Sequence, residues 1–273
     1  PTDRSASALS TETTRFPVET LSSATDVPVA VRHSYSAVRT HGECPRKHYL
    51  DHVVDAVADP PEDGDDARIV GRLFHAVAEE AFHREYRSRD AWREAADRQL
   101  TARDRTDGRE TVLACVDRYF EATASGIETP VHEWEPLAAE LPFSLADVDG
   151  IGGEVVGYVD AVRRTPDGEV VVLDYKTTSE RVDPDDAVQL RLYLRACRDR
   201  FDEAISRAGY VYVGEAGPAV DLFDRDELPA WSSVRERLAA VDDPSFAETE
   251  PGDHCRFCTH RSLGCGPDGD DDT

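Results

Sequence analysis

Residues 151–179 read IGGEVVGYVDAVRRTPDGEVVVLDYKTTS, and the fold follows from how this stretch is read. β-Branched residues crowd both halves, from Glu154 to Val162 and from Val170 to Lys176, while Pro166, Asp167 and Gly168 supply turn chemistry between them. The stretch is therefore a β-hairpin whose second strand ends in Asp174-Tyr175-Lys176.

Side chains alternate along a strand, so Asp174 and Lys176 share one face and Tyr175 takes the other. If the hairpin is centred near Asp167, paired residue numbers sum to about 334 and Asp160 falls across from Asp174. A slip of one residue would turn Asp160 away. Two carboxylates and one ammonium then share a patch in which Lys176 neutralises only one of the two negative charges. A hard divalent cation meets the remaining need, and such an ion can activate water against a phosphodiester. By itself, D-x-K also suits a surface hairpin with a solvated Asp-Lys pair.

G-Y-V-D at 157–160 followed by L-D-Y-K-T at 173–177 resembles the PD-(D/E)xK nuclease superfamily, in particular its RecB, Cas4 and AddB-like branch. The resemblance matches Asp160 to the first acidic position of the motif and Asp174 and Lys176 to its D-x-K. It implies a restriction-endonuclease-like α/β core, a central mixed sheet flanked by helices, with N- and C-terminal segments joined by a metal cluster.

The charge balance is extreme: 56 acidic residues against 31 basic, a net charge of −25. Lys47 and Lys176 are the two lysines, so the other 29 of the 31 basic residues are arginine. An acidic surface spread along the chain and nearly stripped of lysine resembles a haloarchaeal protein, working where screening is nearly complete. An acidic chain that binds basic partners is the competing reading. In molar salt, net negative charge does not exclude nucleic-acid binding, because screening weakens the repulsion. No apolar run is long enough to span a bilayer and no secretory signal opens the chain, so a cytoplasmic protein without membrane contact is expected. Methionine is absent, and the expectation is a domain belonging to a longer protein.

Residues 1–32, rich in Ser, Thr, Pro and Val, suit a linker or flexible arm. The expected nuclease domain covers 33–266 and an acidic tail 267–273. Ser34, Ser36, Cys44, Pro45 and Tyr49 resemble the stretch that opens RecB-like nucleases; Ser34 or Ser36 would cap a short helix. Residues 59–66, DPPEDGDD, read as an acidic loop. The spacing of Ile69, Val70, Leu73, Phe74, Val77, Ala81 and Phe82 predicts a helix over 67–87. His75 sits at the edge of its apolar stripe, where a histidine is either structural or a ligand; Gly71 and His75 resemble the family's G-x-x-x-H helix, which implies metal ligation or phosphate orientation. One or two helices over 90–125 bury Trp92, Leu100, Val112, Leu113, Val116, Tyr119 and Phe120, with Cys115 a small buried hydrophobe. Leu141, Phe143 and Leu145 alternate as an edge strand interrupted by Pro142. Glu140 just before them resembles the family glutamate that assists the metal or binds an arginine.

Asp183-Pro184 reads as a helix start. On that helix Leu190, Leu194 and Cys197 face the core, whereas Gln189 and Tyr193 share a neighbouring face that is either solvated or, by the family's Q-L-x-x-Y, turned to the scissile phosphate. Residues 209–214 supply another strand beside the hairpin.

Three of six cysteines fall at the C-terminus, Cys255, Cys258 and Cys265, and Cys44 lies far upstream. C-x-x-C in an intracellular chain marks a metal or redox site. Four thiolates suit Zn²⁺ or a [4Fe-4S] cluster, and His254 or His260 would complete a Cys₃His zinc site. One cysteine before the core and three after it resemble the Cas4 and AddB-like enzymes, which implies a [4Fe-4S] cluster on Cys44, Cys255, Cys258 and Cys265. Such a crosslink would stabilise the fold by on the order of 5 kcal/mol through loop closure.

The expected function is a Mg²⁺- or Mn²⁺-dependent deoxyribonuclease, an exonuclease on single-stranded or duplex DNA ends. Asp160, Asp174, His75 and the Tyr175 carbonyl would hold the ions, and Lys176 would orient water, with Glu140, Gln189 and Tyr193 completing the site. Tyr49, Trp134 and Tyr193 are candidates for base stacking. No G-x-x-x-x-G-K-[ST] loop occurs, so a helicase would come from the same parent chain or a partner subunit, in DNA repair and recombination. The alternatives are a stand-alone Cas4-like nuclease of CRISPR adaptation and an inactive DNA-end-binding module stapled by its metal.

Overall fold

The structure is a computed structural model, and it describes residues 31–56, 66–105, 108–146, 148–242, 245–252, 254–255 and 258–260. The acidic stretch at 59–65, Cys265 and the tail 267–273 lie outside the described residues.

Among the described residues six strands form one mixed sheet flanked by seven α-helices. The strands are β1 (Val31–His33), β2 (Glu135–Leu145), β3 (Gly153–Arg164), β4 (Val170–Lys176), β5 (Arg207–Tyr212) and β6 (Ala219–Asp224). The helices are α1 (Tyr35–Glu43), α2 (Pro45–His48), α3 (Asp66–His83), α4 (Arg89–Ala102), α5 (Arg109–Tyr119), α6 (Val188–Cys197) and α7 (Trp231–Asp242). No helix among the described residues is long and apolar enough to cross a membrane.

The hairpin of β3 and β4 is the spine. Its register pairs Ala161 with Leu173 and Arg164 with Val170, so paired numbers sum to 334 as expected. Gly168 closes the turn at φ +89°, a conformation that glycine adopts without steric cost. β5 joins β4 in parallel and β6 joins β5 antiparallel. On the other side of β3 runs β2, an edge strand as expected, but Pro142 does not interrupt it. Pro142 pairs with Tyr158 within the ladder, since an edge position tolerates the missing donor. The irregularities of β2 lie elsewhere, in a register shift between Pro136 and Ala138 and at Glu140, whose φ is +43°.

Alternation along β4 builds both cores. Val171, Leu173 and Tyr175 pack against α3, α4 and α5 through Leu73, Phe74, Trp92, Val116 and Tyr119. Val170 and Val172 pack on the opposite face against α1, α6 and α7 through Val38, Leu190, Leu194 and Leu238. All the expected core residues of α4 and α5 are buried, Cys115 among them. Ser34 caps α1, its hydroxyl accepting the Ala37 N–H at 3.2 Å.

Four boundaries differ from expectation, one of them the strand expected over 209–214, which runs over Arg207–Tyr212. The first strand begins at Val31, two residues inside the stretch read as a linker, because it adds in parallel to β3 at Gly153. Asp183 does cap a turn, accepting the Asp185 N–H at 2.9 Å, but that turn is a single 3₁₀ turn over Pro184–Asp186, and α6 starts afresh at Val188. The helix expected over 67–87 ends at His83, where Glu85 enters the left-handed region at φ +56°.

Candidate metal and phosphodiester site

The β3–β4 ladder stops at Ala161 and Leu173, one pair short of the two aspartates. Beyond that point the Asp160 side chain takes over the pairing: its Oδ2 accepts the Tyr175 N–H at 2.9 Å. Asp160 is thereby fixed between the strands, reachable from α3 on one face and α6 on the other.

From the α3 face comes His75. Its Nδ1 lies 3.2 Å from Glu140 Oε1 and 3.6 Å from Asp160 Oδ2. Glu140 stands across from Asp160 in the β2–β3 register, and its left-handed φ is sparsely populated by residues other than glycine. A strained backbone at a cluster of ionisable groups is characteristic of functional sites. Ligand atoms of His75, Glu140 and Asp160 all lie within 4.8 Å of one another.

From the other face α6 contributes Gln189 and Tyr193. The Tyr193 hydroxyl is 2.8 Å from Asp160 Oδ1 and 3.3 Å from Asp174 Oδ1, and it accepts from Gln189 Nε2 at 2.9 Å. Its single hydrogen can serve one carboxylate at a time, and the shorter distance gives it to Asp160. Lys176 completes the set: its Nζ is 2.7 Å from Asp174 Oδ2, donates to Gln189 Oε1 at 2.9 Å and sits 5.0 Å from the centroid of the Tyr210 ring. Tyr175 turns its ring the opposite way, against Phe74 and His75.

The electrostatics record the crowding. Burial, reinforced by the Asp174 charge, raises the Asp160 carboxyl above its usual range. Burial works against a charged His75, but Asp160 and Glu140 outweigh it and raise the imidazole to about 9. Burial likewise opposes the Lys176 ammonium, and Asp174 more than compensates. Asp160 and Asp174 are 5% and 1% exposed, so neither relies on solvent to offset its charge.

The donor set suits a hard divalent cation. One imidazole and two carboxylates converge, and the His75 and Glu140 side chains are 31% and 24% exposed, which leaves the group open to solvent from one side. Asp174 is not part of that close group; its Oδ2 lies 2.7 Å from the Lys176 Nζ.

Two of the three stacking candidates are closed off. Trp134 is 1% exposed, donates its Nε1–H to the Thr129 carbonyl and has its own carbonyl bonded by Arg163. Tyr193 is 3% exposed with its hydroxyl held in the site. Tyr49 remains half-buried, its ring edge-on to Phe246. Sequence reasoning passed over Tyr35, whose phenol is raised by burial, with the Lys176 charge opposing the rise and the Asp174 charge adding to it. Its position directly after the Ser34 cap was the available signal.

At the far end of α1, Cys44, Cys255 and Cys258 line one pocket with Lys47, Leu50, His254 and His260. The Cys255 Sγ accepts the Gly252 N–H at 3.4 Å. His260 is held by Asp51 at 2.6 Å. Three cysteines line that pocket, but their sulfurs do not form a close ligand group of the kind that His75, Glu140 and Asp160 make among the described residues; the fourth expected ligand, Cys265, lies outside them.

The sequence model of the PD-(D/E)XK nuclease superfamily matches residues 32–263. Among solved structures, the crystal structure of SSO0001 is similar, with 15% identity and a TM-score of 0.37, covering 80% of this chain and 93% of that one. No curated protein matches.

Proposed function

Since the chain belongs to the PD-(D/E)XK nuclease superfamily, we propose that it is a divalent-metal-dependent deoxyribonuclease of the RecB and Cas4-like type that acts on DNA ends. The observation that carries this reading is the convergence of His75, Glu140 and Asp160 beside the Asp174–Lys176 ion pair.

Asp160, Glu140 and His75 would hold one Mg²⁺ or Mn²⁺, with Asp174 and the Tyr175 carbonyl alongside. When bound, the cation supplies a Lewis acid that lowers the pKa of water and offsets charge at the phosphate. Lys176, kept as an ammonium by Asp174, orients the attacking water and stabilises negative charge developing on the phosphate oxygens. Gln189 and Tyr193 position these groups: the first holds the Lys176 ammonium, the second keeps the two aspartates a hydroxyl apart. Electrostatic stabilisers of this type contribute about 10²–10³ in rate each.

The nuclease domain spans 33–266 in this reading. Cys44, Cys255, Cys258 and Cys265 would hold a [4Fe-4S] cluster that would tie its two ends together, and a helicase in the same parent chain or a partner subunit would supply strand separation. The test is cleavage of labelled single- and double-stranded DNA in molar salt with Mg²⁺ or Mn²⁺, beside Lys176→Ala. Metal-dependent cleavage lost in the variant supports the assignment; equal cleavage by both proteins refutes the site. An anaerobically purified sample should be brown, and a colourless protein with stoichiometric zinc would replace the cluster by a zinc site.

A further inference from the structure

A solvent-open cleft of about 390 Å³ lies on the far side of α6 from the proposed active site, and no role above uses it. Arg191, Leu194, Arg195 and Arg198 of α6 line it, together with Arg225 of the 3₁₀ turn Arg225–Glu227 and Trp231 of α7. At 3.6 residues per turn, these three arginines of α6 fall on the helix face opposite to Gln189 and Tyr193. One helix therefore serves the proposed active site with one face and the cleft with the other.

The guanidiniums are held in place without carboxylates. Arg191 Nη1 donates to the Arg225 carbonyl at 3.0 Å, Arg225 Nη2 donates to the Ile205 carbonyl at 3.0 Å, and the Arg195 guanidinium lies 5.7 Å from the centroid of the Trp231 ring. No ion pair joins any of the four arginines to a carboxylate among the described residues. Asp149 is the acidic residue on the wall, and it is paired outward with Arg235 at 3.6 Å. In a chain with 56 acidic residues against 31 basic, four cations around one concavity without a counter-charge run against the composition. Like charges so placed disfavour one another unless an anion lies between them. The strain shows at Arg191, where burial and then the Arg225 charge hold the guanidinium below its usual range, with Asp226 offsetting part of the effect.

The donors narrow the ligand. A guanidinium carries five N–H donors in a planar fork that matches phosphate oxygens, and Arg191 and Arg225 each give one donor to a carbonyl. Linked phosphates concentrate several negative charges within a few ångströms, which suits four cations around one small cleft. A carboxylate brings a single charge, and a nucleic-acid chain brings one for each nucleotide together with its bulk. The volume falls in the range of small-molecule sites, about 300–1,000 Å³.

We infer that this cleft binds a polyphosphate, free or as the phosphate arm of a nucleotide, through the guanidiniums of Arg191, Arg195, Arg198 and Arg225. The inference does not depend on the nuclease reading, since the cleft shares no residue with the proposed active site.

Trp231 supplies the readout: it is half-buried on the cleft wall, whereas the other two tryptophans, Trp92 and Trp134, are 4% and 1% exposed. Tripolyphosphate, ATP and orthophosphate are titrated into the full chain without divalent cation, so that the proposed metal site cannot recruit phosphates, and calorimetry is run beside the tryptophan signal. Wild type should bind tripolyphosphate and ATP saturably and orthophosphate about tenfold or more weakly, because fewer charge-assisted hydrogen bonds form. Arg195→Glu/Arg198→Glu should raise Kd for both ligands about tenfold or more. Arg84→Ala/Arg87→Ala, which removes two exposed guanidiniums elsewhere, should leave Kd unchanged. Should the double reversal fail to fold, Arg195→Ala, a single exposed truncation, tests the same contact. ATP binding tighter than tripolyphosphate assigns the cleft to a nucleotide, and ATP binding no tighter assigns it to the polyphosphate itself. No saturable binding by wild type, equal binding by the Arg195 variants, orthophosphate as tight as tripolyphosphate, or an oligothymidylate or polyglutamate bound where tripolyphosphate is not would overturn the inference.

Discussion

The backbone N–H of Tyr175 donates to the Asp160 carboxylate at 2.9 Å, at the position where the β3–β4 ladder would next have paired main chain with main chain. The strands part there by one residue pair, and the gap is filled by a charged side chain. Asp160 is thus exposed to groups from both faces of the sheet while remaining almost wholly buried. That geometry explains how His75 on α3 and Tyr193 on α6, from opposite layers, meet at one carboxylate.

Lys176 is tied to the fold as well as to the proposed chemistry. Removing one partner of a buried ion pair leaves the other uncompensated, so Lys176→Ala should lower stability by about 3–5 kcal/mol. Adding Asp174→Asn to that variant should restore much of the stability and none of the cleavage. Urea denaturation of the single and double variants, run beside the DNA assay, checks both halves.

Tyr193→Phe deletes the hydroxyl shared by Asp160 and Asp174 and leaves Gln189 Nε2 without its acceptor. A loss of about 1–3 kcal/mol in the metal-free protein is expected, the usual penalty for leaving buried polar groups unsatisfied. Mn²⁺ should recover more stability in this variant than in wild type, since a cation replaces the missing screen between the two carboxylates. Thermal melts with and without Mn²⁺ measure the difference.

His75 gives the metal-free protein a definite pH dependence. Its imidazole is raised to about 9 in the folded state against 6.5 when unfolded. The folded state therefore binds more protons over that window, and the stabilisation is fully present below pH 6.5 and lost as pH rises toward 9. Asp160, also raised, acts in the same direction. Melting temperature without metal should fall across this range; in His75→Ala the slope should be shallower, and saturating Mn²⁺ should offset the loss because the ion replaces the proton.

Close approach of the chain after β4 predicts a contrast between two glycines. A Cβ on Gly214 would overlap the Thr177 carbonyl, whereas one on Gly71 would meet only the Thr177 hydroxyl at 3.3 Å. Gly214→Ala must therefore push back the backbone beside Lys176 and should cost both stability and cleavage. Gly71→Ala should be mild, and thermal melts of the two variants together with their cleavage rates settle the comparison.

Local chemistry made the hairpin legible: β-branched runs, a Pro-Asp-Gly turn and a two-residue alternation fix the face and register of Asp174 and Lys176 without reference to the rest of the chain. The same applies to the helical stripes of α3, α4 and α5, whose burial follows from spacing. What the sequence did not disclose depends on contacts distant along the chain. The left-handed backbone at Glu140 arises in an edge strand and has no glycine to announce it. The bond from Tyr193 to Asp160 depends on how α6 sits over the sheet, and so does the break between Asp183 and Val188 that delays the helix. Trp134 reads as a stacking residue until Arg163, 29 positions later, closes over its carbonyl.

The central claim is that Asp160 and its neighbours bind a divalent cation, and titration of Mn²⁺ into wild type and Asp160→Asn, followed by the paramagnetic signal of the free ion, tests it most directly. The account predicts saturable uptake by wild type that is abolished in the variant, while the variant keeps its fold. Equal uptake by both proteins, or none by wild type, would contradict it.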